Sequence, residues 1–358
     1  MTKSVFRMHV LAAGHGDCLW VDYGDPDAPT RILVDAGTAG TFSRVKAALD
    51  KVRCGIPSHE LLLITHIDAD HIAGTLNVVE DGVLASQFKE FWFNGRDHLA
   101  QAAKLQSLGA VQGERLTAAL KKLPGRWNTA FGGGPIMMPA AGSPPVKQVG
   151  AATVTVLGPR PAELAALLPV WTQEIKAAGL KNKVAAAKPK QIRPGWQSFG
   201  VTNVNKLANE AVTTDTAPAN GSSISTIVEF QDVRLLLGAD AHPDTLLDGI
   251  KRLSPQSPLK VAVWKLPHHG SAANVTDDLL AAVDAKTVVF SSNGAHFSHP
   301  DKIAVARVIR RYRQTGVHLV FNYKTKHNQI WESPALQSKW NYTTQYGSGL
   351  NGVSVHLI

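Results

Sequence analysis

Within LLLITHIDADHIAG, residues 61–74, four side chains able to ligate a metal or carry a proton stand within six positions: His66, Asp68, Asp70 and His71. Imidazole with carboxylate is the donor set of zinc, manganese and iron sites, and the short spacing lets one loop serve two neighbouring ions. A calcium loop fits less well, because the third oxygen position and the glycine of the D-x-D-x-D pattern are missing and calcium does not select imidazole. An ordinary polar turn is the remaining alternative. Other apolar runs end in the same chemistry. RLLLGADAH ends at Asp240, and VAVWKLPHHGS ends at His268 and His269 with Ser271 two residues on. NGAHFSHPDK then places Asn293, His296 and His299 after VVFSS. One such deposit reads as structural, but three at strand ends read as one site.

These residues need strands that stop at a common edge, where α/β folds place their ligands. Apolar segments rich in β-branched residues at 5–11, 17–23, 31–35, 60–65, 88–93, 152–157, 223–230, 233–238, 261–266, 286–291 and 317–321 read as strands. Helical periodicity fits 41–51, 99–122 with a break near Gly109, 161–179, 243–253, 275–283 and 301–315. Near-continuous apolar strands such as LLLIT and RLLLG are buried on both faces, so two sheets with helices outside are expected. The Gly-, Pro- and Ala-rich stretches 124–150 and 181–222 read as long loops, and His66 to His71 as a loop at the end of a strand.

At 358 residues, with 44% hydrophobic and 18% charged residues, the chain has the composition of a soluble globular protein. No run approaches a membrane span, the N-terminal segment lacks the pattern of a secretory signal, and two sparse cysteines, Cys18 and Cys54, fit a reducing cytoplasm. The net charge of +9 favours an anionic partner. It is concentrated: Lys176 to Lys206 and Lys302 to Lys326 each hold seven Lys/Arg and no Asp/Glu. Solvated surfaces are the bland explanation of both segments.

HIDADHIAG, LLLGAD and LPHHGS, in this order, resemble the metallo-β-lactamase-fold hydrolases, specifically the ComEC-type branch named for the hydrolase domain of the DNA-uptake competence protein. AAGHGDCLWVDYG, ILVDAG, NGSSISTIVEF and GAHFSHP extend the likeness to residues 5–80 and 220–325. The resemblance implies a single four-layer αββα sandwich over 1–358, with 98–219 inserted as helices and long basic loops. It implies two divalent ions, Mn2+ or Zn2+ with Mg2+ as a further fit: Asp70, His71 and His268 on one, His66 and Asp68 on the other, and Asp240 bridging. His269 is the alternative to His268, or a substrate contact. Where the wider superfamily has histidine this chain has Asp68, and between the first motif and Asp240 it offers only His98, which reads equally well as surface. A carboxylate-rich site shifts preference from zinc towards manganese or magnesium. Asp35 reads as a structural acid, and the Gly14, Gly16 and Asp17 turn as a neighbour of the metal pocket.

Such a centre would ionise a water near neutral pH, with Asp70 orienting that metal-activated hydroxide and His269 or His299 serving a substrate oxygen. Three functions compete. The first is a nuclease or phosphodiesterase on single-stranded DNA or RNA, with Lys188, Lys190, Arg193 and Trp196, and Tyr312 in the other basic segment, as track and platforms, and Ser271, Asn293 and His296 as further contacts. The second is a small-molecule hydrolase of a phosphodiester, lactone or thioester. The third is a non-catalytic scaffold, which would need no such ligands. No phosphate-binding loop or serine elbow occurs.

Overall fold

Leucine- and valine-rich segments alternate between two cores, and this alternation builds the molecule. The computed structural model describes residues 4–53, 59–103, 111–179, 202–348 and 351–358. One sheet contains β1 (Val5–Val10), β2 (Leu19–Gly24), β3 (Pro29–Val34), β4 (His59–Leu63) and β5 (Phe88–Trp92) in order, with β14 (Val353–His356) beside β1. The other contains β6 (Val146–Val149), β7 (Ala152–Gly158), β8 (Ser225–Phe230), β9 (Val233–Leu237), β10 (Leu259–Lys265), β11 (Val283–Phe290), β12 (Val317–Phe321) and β13 (Tyr342–Tyr346), neighbours in that order.

Side chains alternate across each strand. Leu235, Leu237, Val263, Val289 and Val320 face Phe6, Met8, Val10, Val21 and Leu63 of the first sheet in a core between the two sheets. Leu236, Trp264, Val288, Phe290 and Leu319 point the other way, onto the helices Pro243–Leu253, Asp277–Ala281 and Lys302–Arg311. On the far side of the first sheet, Trp20, Leu33, Leu62 and Ile64 pack against Ala69–Glu80, Val111–Leu120 and Pro161–Gly179. The layers therefore run helix, sheet, sheet, helix. Strands β9 to β13 are mutually parallel, so the carboxyl ends of β9, β10 and β11 lie on one edge.

Three differences from the sequence expectation bear on the site. His66 to His71 is not all loop: a helix, Ala69–Glu80, begins between the aspartates, because Ile72, Leu76 and Val79 form an apolar stripe facing the first sheet. Residues 202–222 are not a structureless loop. They hold short helices Val204–Ala208 and Pro218–Gly221, the first with Val204 and Ala208 in the outer core. β6, β13 and β14 add strands that polar edge sequences such as VKQV and YTTQY conceal. Among the described residues no helix is long and apolar enough to cross a membrane.

Candidate metal centre

Each element that reaches the centre stops where a ligand-type side chain begins. β4 ends at Leu63, three residues before His66. Asp68 takes the N-cap position of Ala69–Glu80, but its side chain caps nothing and stays free to face His66, while Asp70 and His71 lie in the first turn. Two glycines clamp this turn. A Cβ on Gly16 would stand 1.7 Å from the Asp70 carbonyl oxygen, and one on Gly74 2.0 Å from that of Ala36, so loops 14–17 and 35–37 press directly on the helix start.

Opposite, β9 releases Asp240 after Ala239, which has φ 47°, and β10 runs into Pro267–Gly270, where His268 (φ 46°) and His269 (φ 54°) are both left-handed. Left-handed backbone at three non-glycine residues is strained, and strain of this kind persists only where packing over-determines it. Here it aims two adjacent imidazoles at one carboxylate. The His268 amide donates to the Ala239 carbonyl at 2.8 Å, tying the two turns together.

Four imidazoles converge. Asp240 Oδ2 lies 3.5 Å from His71 Nε2, 3.6 Å from His269 Nε2, 3.8 Å from His268 Nε2 and 3.9 Å from His66 Nε2. Asp70 Oδ2 is 3.4 Å from His269 Nε2 and 3.8 Å from His71 Nε2, and Asp68 Oδ2 is 3.7 Å from His66 Nε2. These separations are mostly too long for hydrogen bonds. The two shortest, at 3.4 and 3.5 Å, match the roughly 3.3–3.5 Å between ligands that each sit about 2.0–2.1 Å from a shared tetrahedral ion, and the others are longer. The buried Nε2 of His66 and Oδ1 of Asp240 have no hydrogen-bond partner. An ion at the centre would give both atoms a partner.

The far nitrogen of every imidazole is held. His71 Nδ1 faces Asp35 Oδ2 at 2.8 Å. Thr65 Oγ1 donates to the same Asp35 Oδ2 at 2.6 Å, so it accepts from His66 Nδ1 at 2.9 Å. His269 Nδ1 donates to the Ser291 carbonyl at 2.8 Å, and His268 Nδ1 to Asn274 Oδ1 at 2.9 Å with Asp215 Oδ2 3.3 Å away. Each ring is thus held through Nδ1 and turns Nε2 to the centre, the arrangement that outer partners give to metal-binding histidines, with His71 Nε2 and His269 Nε2 3.3 Å apart. Behind His269, buried Asp17 meets Lys265 Nζ at 2.6 Å and accepts from Ser291 Oγ.

The electrostatics agree. Burial opposes every charge here, yet His269, His71 and His268 hold the Asp240 carboxyl well below the ordinary carboxylate range. Asp240 and its neighbouring carboxylates raise His71 and His268, and with Asp17 push His269 to about 9 against its burial. The residues form three ligand groups: His66, His71 and Asp240; Asp70, His71 and His269; Asp17, Asp240 and His269. His269, not His268, thus groups with Asp70 and His71. Together the groups hold three imidazoles and three carboxylates.

The other expected residues divide. His299 is buried beside His268, ring centroids 5.4 Å apart, with Nδ1 3.1 Å from Asp301 Oδ1. His296 is exposed and lies on His15 at 4.4 Å. Asn293 Oδ1 accepts from the Ala295 amide and buried Ser271 Oγ from the Ala273 amide, so both side chains brace their own turns. Lys188, Lys190, Arg193 and Trp196 lie outside the described residues. Tyr312 is corrected: it is fully buried, its hydroxyl donating to the Val283 carbonyl, and cannot be a stacking platform. Nor is His98 a surface residue, since it is buried against the Phe93 and Gly133 carbonyls. Asp215, Asn220 and Asn274 were not anticipated. The Asn220 and Asn274 amides both donate to Asp215 Oδ2, at 2.6 and 3.0 Å, and the second bond joins this stretch to the turn after His269.

No family model matches the chain, and no curated protein does. Among solved structures it is similar to the metallo-β-lactamase-fold protein YhfI of Bacillus subtilis, with 10% identity over 99% of this chain and 100% of that one and a TM-score of 0.43. It is also similar to a metallo-β-lactamase with the HARLDQ motif from Cronobacter sakazakii, with 12% identity over 74% of this chain and 78% of that one and a TM-score of 0.31.

Proposed function

We propose that the protein is a metal-dependent hydrolase of the metallo-β-lactamase fold that cuts phosphodiester bonds, with nucleic acid as its substrate. The observation that carries the metal is the convergence of four imidazole Nε2 atoms on Asp240, whose Oδ1 is buried without a partner. His66, Asp68 and Asp240 would hold one divalent ion, and Asp70, His71, His269 and Asp240 a second, Zn2+ or Mn2+. Two such ions would supply Lewis acidity towards a phosphoryl oxygen and lower the pKa of water.

The chain's own groups do the rest. Asp70, partly exposed at the mouth and held ionised by His71 and His269 against its burial, can accept a hydrogen bond from the attacking water and orient it. His299, held through Nδ1 by Asp301, can give a proton from Nε2 to the departing oxygen when its ring carries a proton on both nitrogens. His268, fixed by Asn274, borders both. The polyanionic substrate is supported by the net charge of +9 and by the basic segment 176–206.

One observation favours a smaller substrate. The segment 302–326 is not a free cationic track, because Arg307 donates to the Ala272, Val275 and Glu210 carbonyls, Arg311 to Leu280 and Val283, and Arg310 to Asp277. A small phosphodiester, lactone or thioester needs no track. Incubation of metal-loaded protein with single-stranded DNA, duplex DNA, RNA and a chromogenic phosphodiester separates the readings. Cleavage of the chromogenic ester alone selects the small-molecule hydrolase, and no metal uptake with no cleavage overturns both.

A further inference from the structure

The segment 293–299 arches over the mouth of the centre. At one end the Asn293 amide donates to the Gly14 carbonyl at 2.9 Å, and next to Gly14 the ring of His15 lies 4.4 Å from that of His296. Gly16, next to His15, abuts the Asp70 carbonyl, which places this end beside one side of the ligand cluster. At the other end His299 packs on His268, 5.4 Å away, beside Asp240. Between the two stands Phe297. Its ring is stacked on His299 at 5.9 Å and 29° and tilted against His296 at 5.6 Å, yet the residue is 55% exposed. Among the described residues it is the one exposed Phe, Tyr or Trp.

An exposed phenyl ring on a loose loop would collapse onto apolar surface. This one is held out. The Gly294 amide donates to Ser292 Oγ at 3.1 Å and the Ala295 amide to Asn293 Oδ1 at 2.9 Å, and the left-handed Ser298 (φ 62°) turns the chain back towards His299. A Cβ on Gly294 would stand 2.7 Å from the ring of His327, so the arch rests on that residue. Exposed Lys326 adjoins His327, and exposed Lys302 follows His299 by three residues, at the start of Lys302–Arg311. A rigid aromatic face beside a metal centre, with ammonium groups alongside, is how proteins hold a base and its phosphate.

We propose that Phe297 is a platform on which a nucleobase stacks, on the nucleotide unit next to the phosphodiester being cut. The inference rests on the phosphodiesterase reading above. It names the shared chemistry, a base carried on a phosphodiester, whether that unit belongs to a strand or to a small nucleotide.

Three substrates test it with metal-loaded protein: a dinucleoside monophosphate, a single-stranded dodecamer, and the same dodecamer made abasic throughout. In Phe297→Ala, KM on the base-bearing substrates is expected to rise about tenfold, within the range of base–aromatic stacking, and at least fivefold more than on the abasic strand. Phe297→Trp should restore or tighten binding, and Phe297→Leu should resemble Ala. A rise on both base-bearing substrates supports the platform for small nucleotides and strands alike, and a rise on the dodecamer alone supports it for strands. Equal changes on base-bearing and abasic substrates, or no change, overturn it. If the parent protein cuts none of the three, the nucleic-acid phosphodiesterase reading fails, and calorimetry still decides the platform. A preference for thymidine 5′-phosphate over deoxyribose 5-phosphate that disappears in Phe297→Ala upholds it, and the absence of any preference in the parent overturns it.

Discussion

Asp35 Oδ2 lies 2.8 Å from His71 Nδ1, and the same oxygen accepts from Thr65 Oγ1, which in turn accepts from His66 Nδ1. One buried carboxylate therefore sets the tautomer of two of the four converging imidazoles. Asp35→Asn keeps the shape but offers one acceptor oxygen where three donors arrive, those of His71, the Thr65 hydroxyl and the Thr65 amide. Metal affinity should fall by about 10–100-fold, the usual effect of losing an outer partner. Competition with a chromogenic chelator measures it. Unchanged affinity would show that His71 is oriented by something else.

The adjacent histidines should not be equivalent. His269 is buried and 3.4 Å from Asp70, whereas the His268 side chain is 22% exposed and backed by Asp215. His269→Ala should lose close to one equivalent of bound metal after dialysis, and His268→Ala much less. Elemental analysis of the two variants decides the point. The reverse order would return the inner position to His268.

Much of this was legible in the chain, for a physical reason. Ligand-type residues such as His66 and Asp240 follow apolar strands closely, so a local pattern exposes them. What holds those ligands does not follow locally. Asp215 meets His268 across 53 positions and Lys265 meets Asp17 across 248, and nothing in either short stretch signals its partner. The helix start at Ala69 was obscured by its own function, because the polar Asp68, Asp70 and His71 hide the stripe that begins at Ile72. Charge counting misled at 302–326. Arg307 and Arg311 are spent on carbonyls, Arg310 on Asp277 and Tyr312 on the core, a packing outcome that a run of cations does not announce.

The metal-free protein should lose stability as pH rises. His269 is raised to about 9 by Asp240 and Asp17, despite burial, against roughly 6.5 in an unfolded chain. The folded state therefore binds more protons between those values, and stability falls with pH across that interval. Its contribution is complete below about pH 6.5 and gone above about pH 9. His71 and His268 shift in the same direction. Metal displaces these protons, so the loaded protein should show a flatter Tm between pH 6.5 and 9 and release protons on loading. Thermal melts with and without chelator, and a pH-stat titration, test both statements. A chelated protein whose Tm rises over that range would contradict the assigned charges.

The remaining prediction concerns Lys188, Lys190 and Arg193, which belong to an acid-free run from Lys176 to Lys206 that also contains Trp196. Every phosphate that such a run neutralises releases a condensed counterion. For single strands log K should then fall by roughly 0.7 per contact for each decade of salt. Changing the three residues together to Ala should flatten the slope by about two units and raise KM on oligonucleotides. A small chromogenic phosphodiester reaches only the centre around Asp240, so its turnover should change far less. Arg307 is a poor choice for the same experiment, because its guanidinium donates to carbonyls inside the fold and its loss would damage the protein rather than the track. A triple variant that binds and cuts oligonucleotides like the parent across a salt series would make residues 176–206 a solvated surface and leave the small-molecule hydrolase as the better account of the centre.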